Sequence, residues 1–166
     1  QTSLKNVSYL EINGIKLYYR IHYPYPNYNL YSQRTPLLLI SEIGQLKEDW
    51  IKLPELLCHN SRPIISIDMR GVGQTGLSNS ASLQNNYSID LLSSDIAGLI
   101  EKLYPKQKLF VLGNGGLGGI VAQTLSLRFE NLVSGLILVN AIHPSNNGPK
   151  NLYLNKFNNK FMNNTQ

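Results

Sequence analysis

The sequence predicts an α/β fold with a mostly parallel, doubly wound sheet, and three observations carry that expectation. Four short, continuous apolar runs recur along the chain: PLLLI (36–40), PIISID (63–68), KLFVL (108–112) and SGLILVN (134–140). Runs of that length are typical of strands buried on both faces. Stretches with helical spacing separate them, and such alternation implies parallel pairing through right-handed crossovers. A hydrophobic content of 42% against 15% charged residues lets 166 residues bury one core and excludes a disordered chain.

The elements follow in order. VSYLEINGIKLYYRIHY (7–23) has two β-rich runs split by Asn13-Gly14, a strong signal for a two-residue hairpin turn. Residues 24–36 hold three prolines with Tyr25, Tyr28 and Tyr31, and read as a surface loop. After the 36–40 strand, Trp50, Leu53, Leu56 and Leu57 share one face of a helix expected over 48–58. The 63–68 strand follows. Ser88 is placed to cap an amphipathic helix in which Ile89, Leu92, Ile96, Leu99, Ile100 and Leu103 recur, with Asp90 in the favourable first turn. The 108–112 strand, a helix over 117–129 and the 134–140 strand complete the pattern. After Pro144 the chain is polar and aperiodic, and six of its 19 asparagines follow residue 150. The expected organisation is one domain, 7–143, and an Asn-rich C-terminal tail, 144–166.

Composition excludes several functions. The net charge of +5 is not gathered into a stripe, and Lys150, Lys156 and Lys160 read as solubilising charge, so no specific nucleic-acid site is expected. No apolar run approaches the roughly 20 residues of a membrane span. His22, His59, His143 and the single cysteine, Cys58, show no metal-ligand spacing, and neither a metal nor a cofactor is expected. One cysteine allows no internal disulfide and suits a reducing, intracellular compartment: the cytosol or an organelle matrix such as the mitochondrial one. Cys58 lies in LPELLC and reads as a buried spectator.

The unusual stretch is FVLGNGGLGG (110–119), a strand running into a turn with five glycines. Gly113 to Gly118 matches the G-x-G-x-x-G pattern of dinucleotide loops. That motif needs an acid at the end of the next strand to hold a ribose, and Leu138-Val139-Asn140 supplies none. Gly71 to Gly76 matches the pattern equally well, so the match is cheap.

A different resemblance covers residues 8 to 142. ING-IKLYYR, LLLISEIGQLKEDW, PIISIDMRGVGQTGLS, YSIDLLSSDIAGLIEKL and LFVLGNGGLGGIVAQTLSLRFENLVSGLILVNA resemble, in order and spacing, the first six strands of the α/β-hydrolase family of esterases and lipases. Asp68, Arg70, Gly71 and Gly73 match its D-x-R-G-x-G segment. The resemblance implies a nucleophile elbow, G-x-S-x-G, within 113–119. Aligning the Gly118-Gly119 pair puts Gly116 at the nucleophile position; aligning from Gly113 puts Gly115 there. Either way the residue is glycine, which cannot attack a carbonyl.

The departures continue. The family's oxyanion loop begins His-Gly, and here those positions read Ser41-Glu42. The resemblance implies the amides of Ile43 and Leu117 as oxyanion donors, with a carboxylate at Glu42 opposing the charge they would stabilise. No acid follows Glu130, and no histidine stands where the family's eighth strand would place one.

The expectation is a shortened, catalytically inactive relative acting as a structural or protein-binding subunit, with a partner along strand 134–140. The alternatives are an esterase- or lipase-type fragment of a longer active hydrolase, a displaced nucleophile such as Ser41, and a small apolar ligand held in the old cleft.

Overall fold

The computed structural model describes residues 7–23, 34–58, 62–78 and 87–142. Six strands form one sheet: β1 (Ser8–Ile12), β2 (Ile15–His22), β3 (Leu37–Ile40), β4 (Ile64–Ile67), β5 (Leu109–Asn114) and β6 (Val133–Val139). They are ordered β1-β2-β4-β3-β5-β6. The β1–β2 and β2–β4 pairs are antiparallel; β3 is parallel to both β4 and β5, and β5 to β6. The hairpin forms where expected. Asn13 and Gly14 take φ of 47° and 76°, the left-handed pair that a two-residue turn of this twist requires.

Helices cover both faces, which is why the central strands read as unbroken apolar runs. α3 (Ile89–Leu103) and α4 (Gly115–Arg128) pack on one face, where Ile96, Leu99, Val121 and Leu125 join Leu38, Ile40, Ile65, Ile67 and Val111. Successive strand residues point oppositely, so Leu37, Leu39 and Ile64 enter a second cluster with Cys58 of α1 (Leu53–Cys58). The cap on α3 forms as read, Ser88 Oγ accepting from the Leu91 amide at 3.1 Å.

Four elements differ from expectation in their boundaries. The helix expected over 48–58 is only α1, preceded by turns; Ile51 has φ 51°, a left-handed value that interrupts a helix, and Pro54 falls in the first turn, where proline is tolerated. Its buried residues are Pro54 and Cys58, Trp50 and Leu57 pack partly, and Leu56 is exposed, so the face drawn from spacing is not the one used. α4 begins at Gly115 instead of 117, and β5 extends to Asn114. β6 spans 133–139, ending where Asn140 turns left-handed at φ 51°.

One element was not anticipated: α2 (Gly73–Ser78), whose sequence GQTGLS has no apolar period. Tertiary hydrogen bonds hold it, since Thr75 Oγ1 donates to the Asp68 carbonyl at 2.8 Å and accepts from the Tyr18 amide at 2.9 Å. The Tyr-rich loop and the tail 144–166 lie outside the described residues.

Arg70 locks the layers. Its Nε donates to Asp95 Oδ2 at 2.7 Å and its Nη2 to Asp95 Oδ1 at 2.9 Å. Asn13 Nδ2 donates to the same carboxylate at 2.9 Å, tying the hairpin turn to α3. Both charged residues are buried, so the pair is worth more intact than its halves. Asp95→Ala should therefore cost about 3–5 kcal/mol in urea unfolding by stranding the guanidinium; a loss below 1 kcal/mol would show that Arg70 finds water or another partner.

Candidate functional site

The register of β3 on β5 builds the site. Leu37 pairs with Phe110, and the ladder runs to Ile40 opposite Gly113. Carried two residues further, that register sets Glu42 level with Gly115. Gly115 has φ 72° at the strand-to-helix turn. Such a conformation costs on the order of 1–3 kcal/mol for a residue with a Cβ, and glycine adopts it freely. Of the two alignments left open, the strained backbone position is Gly115; Gly116, the position taken as the nucleophile's, is the residue after it and has no positive φ.

Glu42 fills the space above Gly115. A Cβ placed on Gly115 would collide with Glu42 Oε2. Glu42 Oε1 accepts from the Ile43 amide at 2.7 Å and from the Leu117 amide at 3.0 Å. Glu42 Oε2 accepts from the Gly116 amide. The two amides expected to form an oxyanion hole are thus both committed to one carboxylate, and Gly116 adds a third. These bonds, the Ile43 amide foremost and then Leu117 and Gly116, hold the Glu42 carboxyl below the usual glutamate range; partial burial opposes them. Two of the amides open α4, where the helix dipole also favours an anion. The expectation that Glu42 would oppose charge at the hole is therefore amended: Glu42 is itself the charge within it.

The remaining glycines answer a different need. A Cβ on Gly118 would come within 2.5 Å of the Ser41 carbonyl, and one on Gly113 within 2.6 Å of Ala122 Cβ. They let α4 lie close on β3 and β5. The amides after Gly115 serve Glu42, which leaves the G-x-G-x-x-G match explained by packing and an internal carboxylate.

The loop that carries Ile43 is anchored beneath. Lys47 Nζ donates to Asp68 Oδ2 at 2.7 Å and to Gln74 Oε1 at 2.8 Å, while the Lys47 amide donates to Asp68 Oδ1 at 2.8 Å. Asp68 also accepts from the Gln74 amide at 3.0 Å. A Cβ on Gly73 would approach Asp68 Oδ2 to 2.5 Å, so the acid and the glycine of the strand-four segment specify each other. Ile43 and Leu117 also line a cavity of about 490 Å³ whose walls are mostly apolar, Met69, Tyr87, Ile89 and Leu92 among them.

The other candidates lie apart. Ser41 is buried, and its Oγ makes no hydrogen bond. His22 pairs with Ile64, the first residue of β4, at the end of the sheet away from the turn. Its Nε2 is 3.3 Å from Ser66 Oγ, and burial, then the Arg20 charge, lower its pKa, with Glu55 opposing. His59 and His143 fall outside the described residues. Cys58 is buried, and burial followed by the Glu55 charge raises its thiol pKa, as suits a spectator. Among the described residues no three His, Cys, Asp or Glu side chains cluster as metal ligands, and no helix is long and apolar enough to cross a membrane.

Known proteins share this fold. The profile of the alpha/beta hydrolase fold family matches residues 35–164. A proline iminopeptidase from Pestalotiopsis fici is 29% identical over 136 residues, covering 80% of this chain and 43% of that protein. Epoxide hydrolase 3 of Xenopus tropicalis is 31% identical over 115 residues, covering 68% of this chain and 29% of its own. A solved hydrolase from Pseudomonas aeruginosa superposes with a TM-score of 0.67 at 26% identity, over 84% of this chain and 48% of that one. The chain thus spans less than half the length of these proteins.

Two measurements test the geometry. Gly115→Ala should destabilise the chain by more than the roughly 1–3 kcal/mol of backbone strain, and by the strain alone when Glu42→Ala is also present. A double-mutant cycle reads the difference, and a coupling of zero would put Glu42 elsewhere. Second, a carboxyl whose folded pKa is depressed stabilises fully above its unfolded pKa, about 4.3, and that contribution is lost as pH falls through the folded value. The Tm advantage of the wild type over Glu42→Gln should be present at pH 7 and shrink steadily below about pH 4; a constant difference would reject the charged contact.

Proposed function

Because this chain belongs to the alpha/beta hydrolase fold family, we propose that its strand-five turn is a holding site without nucleophilic chemistry, in a protein kept for binding or structure. The observation that carries this reading is the Glu42 carboxylate seated on the amides of Ile43, Gly116 and Leu117 above Gly115. Acyl transfer at such a turn needs a nucleophile and empty donors for the oxyanion that forms. Here the side chain is absent from one and the Glu42 carboxylate stands in the other. Loss of groups that work as a unit is rarely compensated singly.

The same reading gives the protein a contact surface at β6. Its inner edge pairs with β5, and among the described residues no strand pairs with its outer edge. Ile137, Leu138 and Val139 are 42%, 38% and 45% exposed. A protein strand adding there would satisfy the open backbone and cover apolar area.

A second reading rests on the cavity beside the turn, which has the size and apolar lining of a small-molecule site. The relatives are a proline iminopeptidase and an epoxide hydrolase, and in a longer protein this chain would supply the first part of such an enzyme.

Hydrolysis of p-nitrophenyl acetate and butyrate by the purified chain tests the holding-site reading. The holding-site reading expects a rate equal to that of buffer. Turnover that disappears in Glu42→Ala or Gly115→Ala would establish chemistry at the turn and overturn it. For the edge, Ile137→Lys with Val139→Lys should abolish association with a protein partner or a second copy in sedimentation while leaving the circular dichroism unchanged; association that persists would place the contact elsewhere.

A further inference from the structure

We propose that Glu42 is a tethered ligand closing an anion site, and that its withdrawal opens that site to a carboxylate bearing an apolar tail. The inference deepens the holding-site reading and rests on it. Its first support is the donor set: three backbone N–H groups from two separate segments converge on one carboxylate. The donors belong to the backbone and stay in place if the side chain leaves.

The second support is the adjoining cavity. Ile43 and Leu117, whose amides hold the carboxylate, also line the apolar space of about 490 Å³, so head-group donors and tail volume share a wall. Pockets that bury small molecules run from roughly 300 to 1,000 Å³. Arg70 is the cationic residue of that lining, and its guanidinium is engaged by Asp95 and the Asn13 carbonyl. Recognition of charge therefore falls to the amides, and recognition of shape to Met69, Ile89 and Leu92.

Third, the latch is movable. Glu42 is half-buried, in a loop segment, and its neighbour Ile43 is exposed, so a side-chain rotation toward solvent unpacks none of the core. A free carboxylate competes against a partner held at high effective concentration. Only an anion that also buries a tail can offset that disadvantage, which selects linear monocarboxylates over acetate or phosphate.

Isothermal titration of the full 166-residue chain with decanoate and with decanol, at pH 7, tests the latch. Glu42→Ala should bind decanoate at least tenfold more tightly than the wild type, while decanol affinity stays the same in both. Glu42→Gln, which keeps the side chain's size and removes its charge, should shift in the same direction and serves if the alanine variant does not fold. Leu92→Trp, which fills the cavity, should abolish the gain. Equal decanoate affinity in wild type and both Glu42 variants, or a matching gain for decanol, would overturn the proposal. Release of p-nitrophenol from p-nitrophenyl decanoate in the same samples would remove the holding-site reading alone, leaving the affinity comparison to decide this one.

Discussion

The pairing of β3 with β5 is the constraint from which the site derives. Their parallel register leaves no freedom in which residues face each other across the carboxyl ends of the strands. Glu42 and Gly115 are neighbours because Ile40 and Gly113 are. Within that frame the two residues are reciprocal: one strand end has given up a side chain, and the adjacent loop sends one into the vacated volume. Charge-assisted hydrogen bonds are the stronger kind, yet Glu42 is partly solvated, so its contribution lies more in geometry than in stability.

Two buried ion pairs keep that frame from drifting. Lys47 with Asp68 fixes the loop after β3 to the segment after β4, and Arg70 with Asp95 fixes that segment to α3. Pairs of this kind are often neutral for stability when compared with apolar replacements. Their value here is positional. Each carboxylate accepts from more than one donor, so the chain segments it joins have one arrangement that satisfies every group. Lys47, four residues after Ile43, is the pinned point of the loop that carries the Ile43 amide.

Much of the fold was readable in the sequence because its signals are local. Asn13-Gly14 demands left-handed backbone, Ser88 caps at its own helix, and runs such as IISI admit one burial pattern. Where the reading missed, the deciding contact was distant. Nothing local distinguishes Gly115 from Gly116 as the left-handed residue; the ladder with β3 does. The helix α2 rests on Thr75 reaching Tyr18 and Asp68, and no periodicity announces it. Glu42 was recognised as a foreign residue in its loop, but sequence position conveys neither the reach of its side chain nor the amides that receive it. A glycine at the turn together with a long acid in the neighbouring loop is the signal that would have joined the two.

Strand order has a temporal side. β3 sits between β4 and β5, and β5 lies beyond all of residues 41–108. While the ribosome is still making that stretch, Leu37–Ile40 stands as an open, wholly apolar border on a half-built sheet. Contacts so far apart in sequence form slowly and leave nascent chains prone to sticking. The centre of the finished molecule is thus, during synthesis, its most vulnerable rim, and the segment for which a chaperone would have most use.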